Sequence, residues 1–445
     1  MNLEFFKDKI LSNKFKSENK MNKEDFTRNR KLPFSKVLLT VVRKSVKSIQ
    51  NVLNETQKYL STLLDEDLET ISKSAYSQAR DKLNYTAFEE LANDASDMMY
   101  RDYDYKTYKG YRLLAIDGSM VTLPNNDDIK QEFCTTNVVN QYEDKSKTIV
   151  QARVSVLYDV LNNITLDSII TNSKIGEITI AKDNHFKKLN KNDLVIMDRG
   201  YPSYELFTTI ITQYKADFLI RMKKSCYKDI QFLFDKNSEL KDTIITLKPT
   251  TKKLTNEIIE QNLPLEVKVR FVQVILEDGE VEVLATSVLD NEVLETKDFK
   301  ELYFKRWKIE TFYEIIKNRL SLENFTGLSA LAIKQDFYAT IFISNLETIV
   351  VQSSSEELTN KTNTKFKQKI NKSVSFNTIK NYCFELFYSN KDIEVIFDEM
   401  SKLFLTSTVQ IRPNRKFKRP SPLEGKNTKG IKSANFSKRK KKSVF

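Results

Sequence analysis

Between Tyr108 and Met222 the chain alternates short apolar runs with turn-rich breaks, in an order that admits few architectures. LLAI before Asp117, IVQARVSVLYDV at 149–160 and NITLDSIIT at 163–171 read as strands, the last two by their alternation. EITIAKDNHFKKL at 177–189 has helical spacing. LVIM before Asp198 is a short buried strand, followed by a Gly200 turn and a helix, and ADFLIRM at 216–222 is one more strand. Strand, strand, strand, helix, strand, helix, strand is the order of an open α/β sheet. In such sheets ligands bind beyond the carboxyl ends of the strands. Asp117 and Asp198 both stand there, each closing an apolar run. Asp-Gly is also a turn signal, so for Asp117 a turn and a site are both open. Arg199, Gly200 and Tyr201 after Asp198 favour a site at that position.

On either side of this segment the pattern is different. Residues 1 to about 100 read as helical, with Ser72 or Ser74 placed to cap a helix, and Ser74, Ser77, Arg80 and Lys82 on one polar face. LEVKVRFVQVILEDGEVEVLATSVL at 265–289 is two alternating runs around Asp278-Gly279, a strong hairpin signal. It marks a β-rich insertion over 226–297. YFKRWKIETFYEIIK at 303–317 follows. Read as a single helix at about 100° per residue, it puts Tyr303, Arg306, Glu310 and Lys317 within a roughly 60° arc. Leu302, Ile309, Phe312, Ile316 and Leu320 form an apolar stripe beside that arc. Taken alone, Arg306 and Glu310 are equally well a solvated i,i+4 pair. After Leu320 a loop leads into a buried helix, and residues 353–410 turn helical again after a polar start.

Composition narrows the chemistry. His185 is the only histidine, so Ser–His or Cys–His catalysis would rest on it alone, and multi-histidine zinc sites are excluded. Its setting, KDNHFKKL, reads as an exposed helix. Cys134, Cys226 and Cys383 have neither disulfide nor zinc spacing and suit a reducing cytosol. An enzyme built this way works through carboxylates, which favour a hard cation such as magnesium or manganese. No uncharged apolar run is long enough to span a membrane, and the charged N-terminus is not a secretory signal. The net charge is +12, and residues 411–445 carry thirteen Lys or Arg against one acid, Glu424, which equals that excess. A charge-balanced body with a cationic, disordered tail is suited to an anionic polymer.

AIDGS around Asp117, MDRGYPS around Asp198 and the Tyr-x2-Arg-x3-Glu-x6-Lys spacing at 303, 306, 310 and 317 resemble the DDE-type bacterial insertion-sequence transposases of the insertion sequence four family. FLIR at 218–221 is similar too. The likeness covers roughly residues 30–350 in layout and is specific at the three acids. It implies a ribonuclease-H-like (retroviral-integrase-type) α/β core with a β-rich insertion, flanked by helical N- and C-terminal regions. The implied division is 1–105 helical and DNA-binding, 106–225 core, 226–297 insertion, 298–352 catalytic-helix part of the core, 353–410 helical and 411–445 basic tail.

Asp117, Asp198 and Glu310 would be catalytic and would hold two Mg2+ ions, with Mn2+ able to substitute. Tyr303, Arg306, Lys317, Arg199 and Tyr201 would bind DNA. The implied reaction cleaves the ends of a DNA element and joins them to target DNA. The implied partners are terminal inverted repeats, target DNA and a second copy in a homodimer, with no membrane, in the bacterial cytoplasm at the nucleoid. A catalytically inactive transposase-derived DNA-binding protein and a ribonuclease-H-fold nuclease without strand transfer are the alternatives. Ser119 stands where Thr is common in that family. The insertion offers Tyr227, Phe232, Phe234 and Phe271 where hairpin-forming members stack a flipped base on a Trp. The only Trp, Trp307, is expected to pack.

Overall fold

In the computed structural model, which describes residues 3–28, 31–139, 146–360 and 366–412, the alternating runs fall on one nine-stranded mixed sheet. Its strands are β1 (Arg112–Leu123), β2 (Thr135–Val139), β3 (Ser146–Asp159), β4 (Ile164–Asn172), β5 (Asp193–Met197), β6 (Asp217–Arg221), β7 (Asp242–Leu247), β8 (Val267–Ile275) and β9 (Val281–Thr286). The lateral order is β2-β3-β1-β5-β6-β9-β8-β7, with β4 paired to β3. β1, β5 and β6 are parallel neighbours. All five residues of β5 are buried, as a strand covered on both faces requires. Leu114, Ile116, Val195, Met197, Phe218 and Ile220 form the core there, with the Phe207 ring stacked on Phe218 at 4.7 Å.

The chain divides into two compact units. One is Ser96–Val121 with Phe133–Glu314 and holds the sheet. The other is Met1–Ala95, Thr122–Glu132 and Ile315–Phe445, and is helical apart from the two-stranded pair Gln368–Ile370 and Thr408–Gln410. Among the described residues no helix is long and apolar enough to cross a membrane. The tail expected over 411–445 lies outside the described residues beyond Arg412.

The strands of 226–297 extend the same sheet, since β9 pairs antiparallel with β6, and Gly279 turns the β8–β9 hairpin at φ +86°. Two expectations are settled at this level. The Asp117-Gly118 pair is not a turn: β1 continues through it to Leu123. In the helical unit Ser72 caps the helix Lys73–Arg80, its side chain accepting from Ala75 N at 3.2 Å. Arg80 at its end, however, is only 3% exposed and bound within the protein, so it is not on a DNA-facing surface.

The helical unit also buries cations. Lys44 is 6% exposed, with Nζ donating to the Leu322 carbonyl at 3.1 Å. Burial pushes its amine down to about 8, and the nearby Arg80 charge acts the same way against Asp336. Lys380, donating to the Lys44 carbonyl at 2.9 Å, is likewise lowered by burial to about 8. Since the unfolded amines titrate near 10.5, the folded chain binds fewer protons above pH 8, and its stability rises with pH there. The gain is expected from pH 8 to 9, on the order of 1 kcal/mol per amine. Above 9 the Cys383 thiol, pushed up to about 12 by burial, works in the opposite direction. Urea midpoints at pH 7.5 and 9 measure the rise, and Lys44→Met should remove about half of it.

Candidate active site

The parallel register of β1 and β5 pairs Arg112 with Asp193 and runs to Ala115 with Ile196. Carried on two residues, the same register brings Asp117 beside Asp198, just past the end of β5. Each carboxylate is fixed by a neighbouring glycine amide. Gly118 N donates to Asp117 Oδ1 at 3.0 Å and Gly200 N to Asp198 Oδ1 at 2.7 Å. Burial pushes the Asp117 carboxyl up to about 7, against the lowering charge of Arg306 and the Gly118 amide. The Glu177 and Asp198 carboxylates raise it further. The Asp117 carbonyl accepts from Tyr313 Oη at 2.7 Å, which ties the strand to the helix that carries Glu310.

The 303–317 segment is not one helix. It is two, Phe299–Phe304 and Trp307–Asn318, separated at Lys305 and Arg306. Tight i→i−3 bonds make the break: Lys305 N to Leu302 O, Arg306 N to Tyr303 O and Ile309 N to Arg306 O. The apolar stripe is nevertheless buried, with Leu302, Ile309 and Ile316 at 0% exposure. The break turns Arg306 inward, where it is 7% exposed and donates to Glu310 Oε1 at 2.8 Å. Arg306 also lies within electrostatic range of Asp117, so one guanidinium links two of the expected acids. Trp307 does not pack away: it is 46% exposed, with Arg306 over its ring at 5.0 Å, and Phe304 beside it is 69% exposed.

The other expected DNA contacts separate by exposure. Arg199 is exposed, and Lys317 lies half-buried on the last turn of its helix. Tyr303 is nearly buried, and burial pushes its phenol up to about 12. Tyr201 is fully enclosed, so its expected contact with DNA is corrected: burial, and then the Glu177, Asp117 and Asp198 charges, hold its phenol well above its ordinary value. Of the insertion's aromatics, Phe232 is exposed and Phe271 is fully buried, which removes Phe271 as a stacking surface.

Among the described residues no three His, Cys, Asp or Glu side chains stand close enough to hold a metal ion as arranged. Asp117 and Asp198 come together, while Glu310 is turned onto Arg306. The donor set still fits a hard cation: carboxylate oxygens without imidazole or thiolate, and a buried Tyr201 hydroxyl that has no partner among the described residues.

Two groups here were not anticipated. Glu177 opens the helix Glu177–Asp183 and pairs with Arg153. An acid in a first turn is what any helix favours, so the sequence carries no special signal for it. His185, expected on the surface, has no exposure at all. Its Nδ1 donates to Asp167 Oδ2 at 2.7 Å and its Nε2 lies 2.9 Å from Ser155 Oγ. This has the layout of a nucleophilic triad, but Ser155 is sealed from solvent and no substrate reaches it. Ser155 Oγ also lies 3.4 Å from the Asp117 carbonyl, which makes the chain an internal strut behind the acid.

A transposase DDE domain model matches residues 108–346, the stretch that carries all of these groups. The chain is 21% identical over 329 residues to the transposase InsG for insertion sequence element IS4 of Escherichia coli (strain K12), covering 72% of this chain and 70% of that one. A solved structure, the piggyBac transposase synaptic complex with hairpin DNA, overlaps 91% of this chain and 81% of its own at 12% identity and a TM-score of 0.41. With more than half its length inside the matched domain, the chain belongs to the transposase DDE domain family.

Proposed function

We propose that this protein is a DNA transposase that cleaves the ends of an insertion sequence and joins them to target DNA, with Asp117, Asp198 and Glu310 as its catalytic carboxylates. The observation that supports the reading is the register that sets Asp117, within β1, beside Asp198, just past the end of β5, with Arg306 paired to Glu310 and near Asp117. The core is ribonuclease-H-like on this reading, a mixed sheet with the acids at the ends of its central strands. Asp117, Asp198 and Glu310 would hold Mg2+ or Mn2+. A bound pair of such ions supplies charge to activate an attacking oxygen and to stabilise a leaving one.

The chain's own residues do the rest. The glycine amides beside Asp117 and Asp198 fix each carboxylate's rotamer. Arg199, exposed next to Asp198, is placed to meet a backbone phosphate, and Lys317 offers a second point of positive charge. Arg306 sits below the surface and governs where Glu310 points. Two in-line displacements suffice. Water attacks a phosphodiester at the element end, the P–O bond to the 3′ oxygen breaks, and that oxygen leaves as a hydroxyl. The freed 3′ hydroxyl then attacks a target phosphodiester and releases a target 3′ hydroxyl. Both use the same carboxylates, and pairing two ends calls for a homodimer in the bacterial cytoplasm.

The deciding experiment incubates the full chain with a duplex carrying its own flanking ends, a supercoiled target and Mg2+, with products run on a denaturing gel. End-specific cutting and joined products, both lost in EDTA, are expected. Cutting without joining at any target concentration leaves the nuclease alternative. Binding without cutting leaves the inactive derivative.

A further inference from the structure

We propose that Tyr313 is a positioning residue for the transposition reaction, its buried hydroxyl setting the Asp117 backbone against the helix that carries Glu310. The inference rests on the reading of Asp117 and Glu310 as catalytic given above.

The first support is placement. Asp117 stands past the end of one ladder, since the parallel pairing of β1 with β5 stops at Ala115 with Ile196. On its other flank β1 has β3 as its neighbour, and Tyr313 Oη lies between these two strands. It donates to the Asp117 carbonyl at 2.7 Å and stands 3.5 Å from the Val154 carbonyl. Tyr313 is 6% exposed, so little water competes for that proton. On the helix Trp307–Asn318 it follows Glu310 by three residues, which makes the two side chains neighbours on the helix surface. One hydroxyl therefore joins the main chain of one acid to the helix of the other.

The second support is that no other hydroxyl takes this task. Ser155 Oγ lies 3.4 Å from the same carbonyl, but its single proton has a nearer acceptor. His185 Nδ1 donates to Asp167, and on that tautomer Nε2 accepts from Ser155 Oγ at 2.9 Å. Of the two hydroxyls, Tyr313 is the donor to Asp117.

The third support is that the helix has other means of docking. The Phe312 ring packs on Tyr158 at 4.6 Å, and Lys308 Nζ donates to the Val160 carbonyl at 2.7 Å. Ile309 and Ile316 are sealed beneath the helix. The first two contacts end on β3, and the Tyr313 hydroxyl reaches one strand further, to the acid itself. For packing alone a phenylalanine ring would serve as well.

The test separates rate from binding. Single-turnover cleavage of an end-bearing duplex by the full chain is followed at saturating DNA with Mg2+, and affinity for that duplex is read by gel shift. Tyr313→Phe keeps the ring and removes the hydroxyl. It is expected to lose roughly 10- to 100-fold in rate, the scale on which a small misplacement of reacting groups acts. Its affinity should stay within about threefold of the parent's, because phosphate contacts dominate binding. Lys308→Met loosens the same helix from β3, and should lower the urea midpoint while leaving the rate near the parent's. A parental rate in Tyr313→Phe, beside abolished cleavage in Asp117→Asn and Glu310→Gln, would overturn the role of Tyr313 and leave the catalytic reading standing. Undiminished cleavage in Asp117→Asn and Glu310→Gln would remove that reading and this inference with it. Equal rate losses in Tyr313→Phe and Lys308→Met would reduce the hydroxyl to one more helix anchor, which also overturns the proposal. Should Tyr313→Phe fail to fold, 4-fluorophenylalanine at that position fills the hydroxyl's space without its proton. The same rate loss there supports the role, and a parental rate overturns it.

Discussion

Replacing Asp117 with Asn is expected to abolish cleavage and strand transfer, and Asp198→Asn and Glu310→Gln are expected to do the same. Each removes an oxygen donor from a centre whose charge stabilisation amounts to several kcal/mol, so losses of about 10³-fold or more follow. Affinity for the element's ends, measured by gel shift, should change by less than about threefold, because phosphate contacts from Lys and Arg dominate it. Two of the three variants should differ in stability even though they agree in activity. Asp117 is half-buried with its carboxyl raised to about 7, so at pH 8 its charge opposes folding in the absence of metal. Asp117→Asn relieves that, which should stabilise the fold by on the order of 1 kcal/mol once partial exposure is allowed for and so raise the melting point. Glu310→Gln instead takes the pairing charge from Arg306, which is 7% exposed, and should lower it. Undiminished strand transfer by any of the three would remove that residue from the site. Equal shifts in melting point would contradict the placement of Arg306 between two acids.

The residues that were legible in sequence are those whose signal is local. Asp117 and Asp198 each close an apolar run, and strand polarity then brings them to one edge; the parallel pairing of Arg112–Ala115 with Asp193–Ile196 supplies the rest. Glu310 was marked by its spacing from Arg306 and Lys317, although the helix expected to align them breaks at Lys305 and Arg306. Periodicity does not register that break, because a tight turn keeps the apolar stripe in phase and changes only where the polar side chains point. The Asp-Gly pair misled for a related reason. The dipeptide favours a turn in isolation, but here it lies inside a long strand, and glycine answers to the Glu177 side chain from another element.

What sequence could not supply are partners brought in from a distance. His185 sits among lysines and reads as solvated, yet the helix ends at Asp183 and a short 3-10 turn rotates the imidazole inward to Asp167 and Ser155. Arg80 reads as one basic residue on a polar helix face. Its acceptors Thr326, Ala332, Gln335 and Asp336 lie some 250 positions later in the chain, where no local pattern reaches.

That arginine carries the second large expectation. Arg80→Met should destabilise the helical unit by roughly 3–5 kcal/mol, the range for breaking a buried ion pair from one side. Four of the five guanidinium N–H groups are engaged: Nε donates to Gln335 Oε1 at 2.6 Å, Nη1 to Thr326 Oγ1 at 2.7 Å, and Nη2 to the Ala332 carbonyl and Asp336 Oδ1, both at 2.9 Å. Removing it leaves Asp336, which has no exposure, to be held by the Thr326 amide, the Thr326 hydroxyl and the more distant Lys44 and Lys380 charges. The packing leaves little slack to absorb the change, since a Cβ on Gly327 would already stand 2.3 Å from Ala332 Cβ. Arg80→Lys should recover little, because a point charge replaces a fork that serves four acceptors. Removing both partners in Arg80→Met/Asp336→Leu should cost less than Arg80→Met alone, since no charge is then left buried without a counter-charge. Denaturant unfolding of the parent, Arg80→Met, Arg80→Lys, Asp336→Leu and the double variant measures this directly. If the double variant proved as unstable as the sum of its two single replacements, the stability would come from the separate hydrogen bonds and not from the buried charge pair.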